Sequence, residues 1–408
     1  MAGRRIIEIN ESVIRPVSPK PNTVRPRKRS DFPEVQAVHL DAAEKLSNPF
    51  IMGPPLCDEF IALIQHLFTE EEAGVVRHLG VIRGKSPAVV ARAEHRPVEE
   101  VEPILRRLAF EKRVIIASGP EGKKTYRLMQ LFPGIFEMAL IGEKPETMSP
   151  WHRRFAELFE ALFETGYFLE YKGTSPQSVR YLPVGGSIGA GAAALPFDRL
   201  EEVLDKFKVF GVGQCQCRMT AEIVGQGCGK PVSNCALMGE WAQEGIKWGW
   251  LKEVSKKEML EIKAEAEAHS LVNWMINIGS AKGQSSCSCC GCCCKGMRFV
   301  NEFNAPGVIA PPHFIPELDA AKCLYCGKCA HACPMAALTI DMKAKTWSRR
   351  AERCIGCGLC AVACDKARAL RMEPVGEVVP PYRNILAMML RAMPPKLART
   401  WQVWRKRK

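Results

Sequence analysis

The chain has 408 residues, 47% of them hydrophobic, enough for two or three domains with cores of their own. Its 19 cysteines are far above ordinary usage, and the opening Met-Ala-Gly-Arg-Arg-Ile-Ile-Glu has no apolar run or small-residue cleavage site. Together they speak against a secreted disulfide scaffold and for metal sites in a reducing cytoplasm. The net charge of +13 sits at the ends, with +6 in residues 1–30, +9 in 366–408 and −2 between them, which argues against a surface that coats nucleic acid throughout. No run of 18 apolar residues occurs, so no membrane-spanning helix is expected.

In chain order, residues 1–50 show little periodicity. The run Arg25-Pro26-Arg27-Lys28-Arg29 and the prolines Pro16, Pro19, Pro21, Pro26 and Pro33 predict a flexible basic arm. Residues 51–145 predict helices followed by a hairpin. Asp58–Phe68 has helical spacing, and Thr69 with Glu72 forms a capping box for the next helix. Ser86–Glu94 and Val98–Phe110 read as a helix pair, and Val114–Ser118 and Thr125–Met129 alternate as strands around Gly119-Pro120-Glu121-Gly122. This order resembles a winged-helix domain, a fold that implies DNA contact. The helix that would enter the groove opens Val98-Glu99-Glu100-Val101-Glu102-Pro103, however, and three carboxylates there repel phosphate. DNA is therefore the weaker expectation and a packing or partner-docking module the stronger one. Cys57 stands alone in an apolar stretch and reads as a buried, inert thiol.

Residues 146–310 predict a mostly helical, cysteine-rich middle domain. Trp151–Phe163 is an amphipathic helix, a short strand is expected near Arg180–Val184, and Asp198–Phe207 is helical. The glycine-rich stretch 184–191 lacks dinucleotide spacing and a Walker lysine, so it reads as a plain connection. Ten cysteines follow in two groups. One is Cys215-x-Cys217-Arg218 with Cys228 and Cys235; the other is Cys287-x-Cys289-Cys290-x-Cys292-Cys293-Cys294. A helix opened by the capping box Ser255-x-x-Glu258 and running to about His269 would fold one group against the other. Neighbouring side chains diverge, so these thiols are expected to be shared between sites or left partly free. Ten thiolates read as ligands of one or two additional iron–sulfur clusters, with Arg218 and Lys295 offsetting their charge; zinc and a thiol relay are the alternatives. A cluster there with only three protein ligands would leave an iron open to substrate.

The strongest signal lies in residues 311–378. Cys323-x2-Cys326-x2-Cys329-x3-Cys333-Pro334 is repeated 31 residues later as Cys354-x2-Cys357-x2-Cys360-x3-Cys364. Three cysteines at this interval wrap a loop over one face of an iron–sulfur cubane, and the fourth starts a helix that points away. Zinc closes with four ligands on one or two knuckles and does not fit two complete copies. The pattern resembles the bacterial two-cluster ferredoxins. That resemblance implies two 4Fe–4S clusters with crossed ligation, one on Cys323, Cys326, Cys329 and Cys364, the other on Cys354, Cys357, Cys360 and Cys333. The second run ends in Cys364-Asp365 where the family has proline, and this negative charge would favour the oxidised cluster beside it. With the middle cysteines included, the chain resembles multi-cluster ferredoxin-like proteins of anaerobic bacteria.

Residues 379–408 interleave apolar and basic residues, from Tyr382-Arg383-Asn384-Ile385 to Trp401-Gln402-Val403-Trp404-Arg405-Lys406-Arg407-Lys408. Such a tail suits a partner's groove, an anionic membrane surface contacted peripherally, or packing back on the chain's own body, and Pro394-Pro395 is expected to break its helix. The fold class expected is therefore α+β and multidomain, with a winged-helix-like N-terminal domain, a cysteine-rich middle domain and a ferredoxin-type dicluster domain. The function expected is relay of single low-potential electrons between redox partners, as part of a larger oxidoreductase complex. The alternatives are a redox-sensing regulator and an oxidoreductase with a catalytic cluster in the middle domain.

Overall fold

The computed structural model describes residues 3–173, 177–188, 194–279, 282–305 and 309–407. Its contacts divide the chain into two units, one of Met1–Pro21 with Lys172–Pro395, the other of Asn22–Tyr171 with Lys396–Lys408. Residues 189–191 of the glycine-rich stretch, Met1, Ala2 and Lys408 lie outside the described residues.

The segment read as a flexible arm begins with paired strands, β1 (Ile7–Asn10) and β2 (Val13–Pro16). Burial of Ile14 to 1% exposure and the bond from Ser12 Oγ to Asp341 hold this hairpin in place, so its proline-rich flanks concealed an ordered element.

In the unit of residues 22–171, helices Ala37–Leu46, Asp58–Leu67 and Glu70–Val76 are followed by Pro87–Glu94 and Val98–Arg106. The hairpin of β3 (Ile115–Ser118) and β4 (Thr125–Leu128) comes next, and Tyr126 also bridges to Lys85. The Thr69–Glu72 capping box is made in both directions. Helix Pro150–Glu164 turns Phe155, Phe159 and Phe163 into a core in which Phe159 stacks on Phe136 at 4.3 Å. The chain's last described residue, Arg407, belongs to this unit and donates to the carbonyls of Ser47 and Gly53.

The middle region, expected to be mostly helical, is organised on a six-stranded antiparallel sheet. Its strands are β5 (Val179–Tyr181), β6 (Phe210–Gly213), β7 (Cys235–Gly239), β8 (Lys252–Val254), β9 (Val272–Ile276) and β10 (Gly283–Cys289). They lie in the order β5-β9-β10-β7-β6-β8. Helix Lys256–Ala268 opens with the Ser255–Glu258 capping box and buries Met259, Lys263 and Ala266. Asp198–Phe207 shortens to a turn and helix Leu200–Leu204.

The remaining strands are β11 (Phe314–Leu318), β12 (Leu338–Asp341), β13 (Thr346–Arg349) and β14 (Leu370–Pro374). β11 pairs with β14, each flanking one cysteine run. β12 pairs with β13 on one edge and with β2 on the other, so the N-terminal hairpin completes a four-stranded sheet, β1-β2-β12-β13. A final helix, Ile385–Arg407, runs through Pro394 and Pro395. The pair removes two donors, but proline's fixed φ is a helical one and the turns on either side carry the helix through. No helix among the described residues is long and apolar enough to cross a membrane.

Candidate metal centres

Each ferredoxin-like run is a loop that enters a short helix at its third cysteine, Lys328–Ala332 holding Cys329 and Leu359–Val362 holding Cys360, so the fourth cysteine follows the helix instead of starting one as expected. Gly327 sits at φ +77°, a conformation that favours glycine, and a Cβ there would lie 2.4 Å from Ile14 Cδ1 and push that side chain aside. The loops bring the cysteines into two neighbourhoods. Cys329 faces Cys364 and Cys323, while Cys333 shares its surroundings with Cys354, Cys357 and Cys360. Cys326 is exposed. Backbone amides point at the sulfurs, from Tyr325 to Cys323, Ala337 to Cys333 and Ala369 to Cys364, each at 3.3 Å. Such bonds favour a charged, metal-bound thiolate over a neutral thiol.

Cys333, Cys354, Cys357 and Cys360 line one small cavity, walled by Pro316, Pro334, Met335 and Ile355. Four convergent sulfurs in an apolar shell fit an iron–sulfur cluster. Burial pushes the Cys329 thiol up to about 11 and raises those of Cys333, Cys357 and Cys360. Charging these sulfurs therefore needs a bound cation.

The ten middle cysteines converge as well, but not as a single site. The sulfurs of Cys228, Cys290, Cys292 and Cys293 all lie within 4.8 Å of one another. The turn at 291–293 rotates successive side chains, so the adjacent Cys292 and Cys293 share this site while Cys289 and Cys294 leave it. The expectation that neighbours diverge thus holds at 289–290 and 293–294 and fails at 292–293. Cys294 interacts instead with Cys217 and Cys289, and the Lys295 amide donates to Cys217 Sγ at 3.4 Å. Cys235 and Cys287 sit opposite one another across β7 and β10 with their sulfurs 3.3 Å apart, and Cys215 neighbours Cys235.

Buried cations accompany these sulfurs. Arg218, 3% exposed, donates to Ser288 O at 2.7 Å and faces Cys215, Cys290 and Cys289. Lys263, 1% exposed, donates to Ser286 O at 2.8 Å and Ser288 Oγ at 3.2 Å, with Cys287, Cys235 and Cys289 nearby. Among the described residues it makes no ion pair with a carboxylate. A buried ammonium needs a negative neighbour, and the groups at hand are these sulfurs together with the Glu267 carboxylate one turn along the helix. Sequence reasoning missed Lys263; the signal was a lysine on the apolar face shared by Met259 and Ala266. It also misjudged Lys295, whose side chain lies among Arg298, Arg4 and Glu302, so that its amide rather than its ammonium serves Cys217.

The turn at 291–293 rests on the ferredoxin-like loops. Asn301 donates to Gly291 O at 3.0 Å and to Pro334 O at 2.8 Å, and buried Arg353 donates to Asn301 Oδ1 at 3.1 Å and Met335 O at 3.0 Å. A Cβ on Gly291 would lie 1.9 Å from Pro334 O, so only glycine allows this approach. Cys289 and Cys294 pack in one apolar cluster with Cys357, and Cys333 and Cys354 border it.

No curated protein and no solved structure matches the chain. Residues 315–365 match the family described as the 4Fe-4S dicluster domain, and the carboxyl-terminal part of this chain is accordingly an iron–sulfur domain of ferredoxin type.

Proposed function

We propose that this protein relays single electrons through two 4Fe–4S clusters into a third held by the middle cysteines. Cys323, Cys326, Cys329 and Cys364 hold the first cluster, and Cys333, Cys354, Cys357 and Cys360 the second. Cys228, Cys290, Cys292 and Cys293 hold the third. All-cysteine ligation leaves the first two without an open iron, which suits them to outer-sphere transfer. The observation that carries the reading is the seat of Gly291 on Pro334, clamped by Asn301, which puts a four-sulfur site one turn from the ferredoxin-like loop.

Residues 51–145 act as a partner-docking module, winged-helix-like in element order. The arginines of the helix facing outward support docking over DNA binding: Arg106 pairs with Glu121 and Arg107 with Glu72, while Glu99 and Glu100 are exposed. The tail offers exposed Leu397 and Trp401 beside Arg405 and Lys406 to an acidic redox partner.

Iron and sulfide counts with EPR on anaerobically prepared full chain test the relay. The ferredoxin-type domain accounts for about eight irons, and the proposal requires about twelve or more. The double substitution Cys292→Ser/Cys293→Ser should remove about four. Eight irons in the intact chain, or zinc in place of iron, would overturn it.

A further inference from the structure

Four of the ten middle cysteines form the compact quartet; the other six separate again. Cys235 and Cys287 face each other at 3.3 Å across their ladder, with Cys215 beside Cys235. Cys217, Cys289 and Cys294 are left together, with Cys294 in contact with both others. The other sulfurs bordering the trio have partners elsewhere: Cys290 is committed to the quartet, and Cys287 and Cys215, which lie beside Cys289, both neighbour Cys235.

The fourth side of this trio is occupied by Tyr181. β5 pairs it with Trp274, and its ring enters the same apolar cluster as Cys289 and Cys294. Its residue is 7% exposed, and its hydroxyl is fully buried with no hydrogen-bond partner among the described residues. The groups around it are the sulfurs of Cys294, Cys289, Cys287 and Cys217. A Cβ placed on Gly296 would lie 3.8 Å from Cys294 Sγ and 4.0 Å from Tyr181 Oη, so sulfur and hydroxyl line the same small space. A hydroxyl kept dry without a partner is costly, and a fold retains one where something outside the polypeptide bonds to it. The amide of Lys295 aimed at Cys217 repeats the amide-to-sulfur contacts of the ferredoxin-like loops.

We propose that Cys217, Cys289 and Cys294 hold a further iron–sulfur cluster with only three thiolates, and that the Tyr181 hydroxyl faces its fourth iron as hydrogen-bond donor to a small anionic ligand bound there. This rests on the reading that the middle cysteines carry iron–sulfur clusters, and it adds a substrate-binding position to a chain otherwise built for relay. Lys263 and Arg218, buried next to Cys289, favour a negative ligand over a neutral one.

The test uses anaerobically prepared full-length protein with ¹³C-cyanide as the anionic probe. Cys217→Ser/Cys294→Ser should lose about four irons, and Cys292→Ser/Cys293→Ser a different four, as judged by which EPR signal disappears. Cyanide added to reduced wild-type protein should shift the signal absent from the Cys217→Ser/Cys294→Ser variant and introduce ¹³C hyperfine coupling. Tyr181→Phe, which removes one oxygen, should keep the iron count and weaken cyanide binding about tenfold, the cost of one hydrogen bond to an anion. If neither double variant loses iron, the relay through the middle region falls together with this site. If only the Cys292→Ser/Cys293→Ser variant loses iron, the relay stands and the three-thiolate cluster is refuted. A wild-type spectrum with no ¹³C coupling refutes the open iron, and unchanged cyanide affinity in Tyr181→Phe refutes the role of the hydroxyl.

Discussion

Trp347 has its indole nitrogen buried with no hydrogen-bond partner among the described residues, and the sulfur of Cys329 is the group beside it. An N–H aimed at a cluster ligand stabilises the more negative, reduced cluster. Trp347→Phe should therefore lower one of the two ferredoxin-type potentials by roughly 20–60 mV, the size of one ordinary hydrogen bond, in an EPR-monitored titration. In the proposed ligation Asp365 acts in the opposite sense beside the same cluster, but the structure pairs it with Lys328 at 3.3 Å. Asp365→Pro should raise that potential and Lys328→Ala lower it, each modestly, because both side chains are exposed. Neither residue could be weighed correctly from its own position in the chain: the cysteine spacing was legible because the ligands lie a few residues apart, whereas Lys328 meets Asp365 across the fold. Cys57 reads the same way in sequence and structure. It is fully buried at the start of helix Asp58–Leu67, and burial pushes its thiol up to about 12. A raised value means less thiolate than an ordinary cysteine has at pH 8, so iodoacetamide should leave Cys57 unlabelled until the chain is unfolded, as peptide mass mapping would show.

At the scale of elements, the helices were legible and the middle sheet was not. Thr69 with Glu72 and Ser255 with Glu258 announce helix starts through side chains three residues apart, and both boxes form. The strand Gly283–Cys289 reads Gly-Gln-Ser-Ser-Cys-Ser-Cys, with none of the β-branched or aromatic residues that mark a strand. It exists because β7 and β9 pair with it on both sides, which is information held more than ten residues away. The hairpin at 7–16 was hidden for the same reason, its partner β12 lying beyond residue 337. The clamp between the turn at 291–293 and the ferredoxin-like loops also depends on distant residues. Arg353 is 2% exposed and its bonds to Asn301 and Met335 O have no water to replace them. Arg353→Ala should cost about 2–4 kcal/mol in chemical denaturation, the penalty for orphaning two or more buried acceptors. The same variant should slow reduction of any middle cluster relative to the ferredoxin-type pair in stopped-flow kinetics.

At the scale of the whole chain, contacts join the ferredoxin-type domain, the middle sheet and the first twenty residues into one unit. The charge pattern takes on a different meaning in that light. The basic opening segment is partly structural, since Arg4 and Lys20 both reach Glu302 in this unit. The strand pairing has a further consequence for biogenesis. β2 must pair with β12, and Ile14 meets Ile340, so this segment waits during synthesis for one made more than three hundred residues later. Gly327, in the first cysteine run, then closes over Ile14. Under the proposed crossed ligation, iron delivery to that loop is completed only after synthesis has passed both runs, and an excised carboxyl-terminal fragment would carry a bare sheet edge where the nascent chain had kept a strand in reserve.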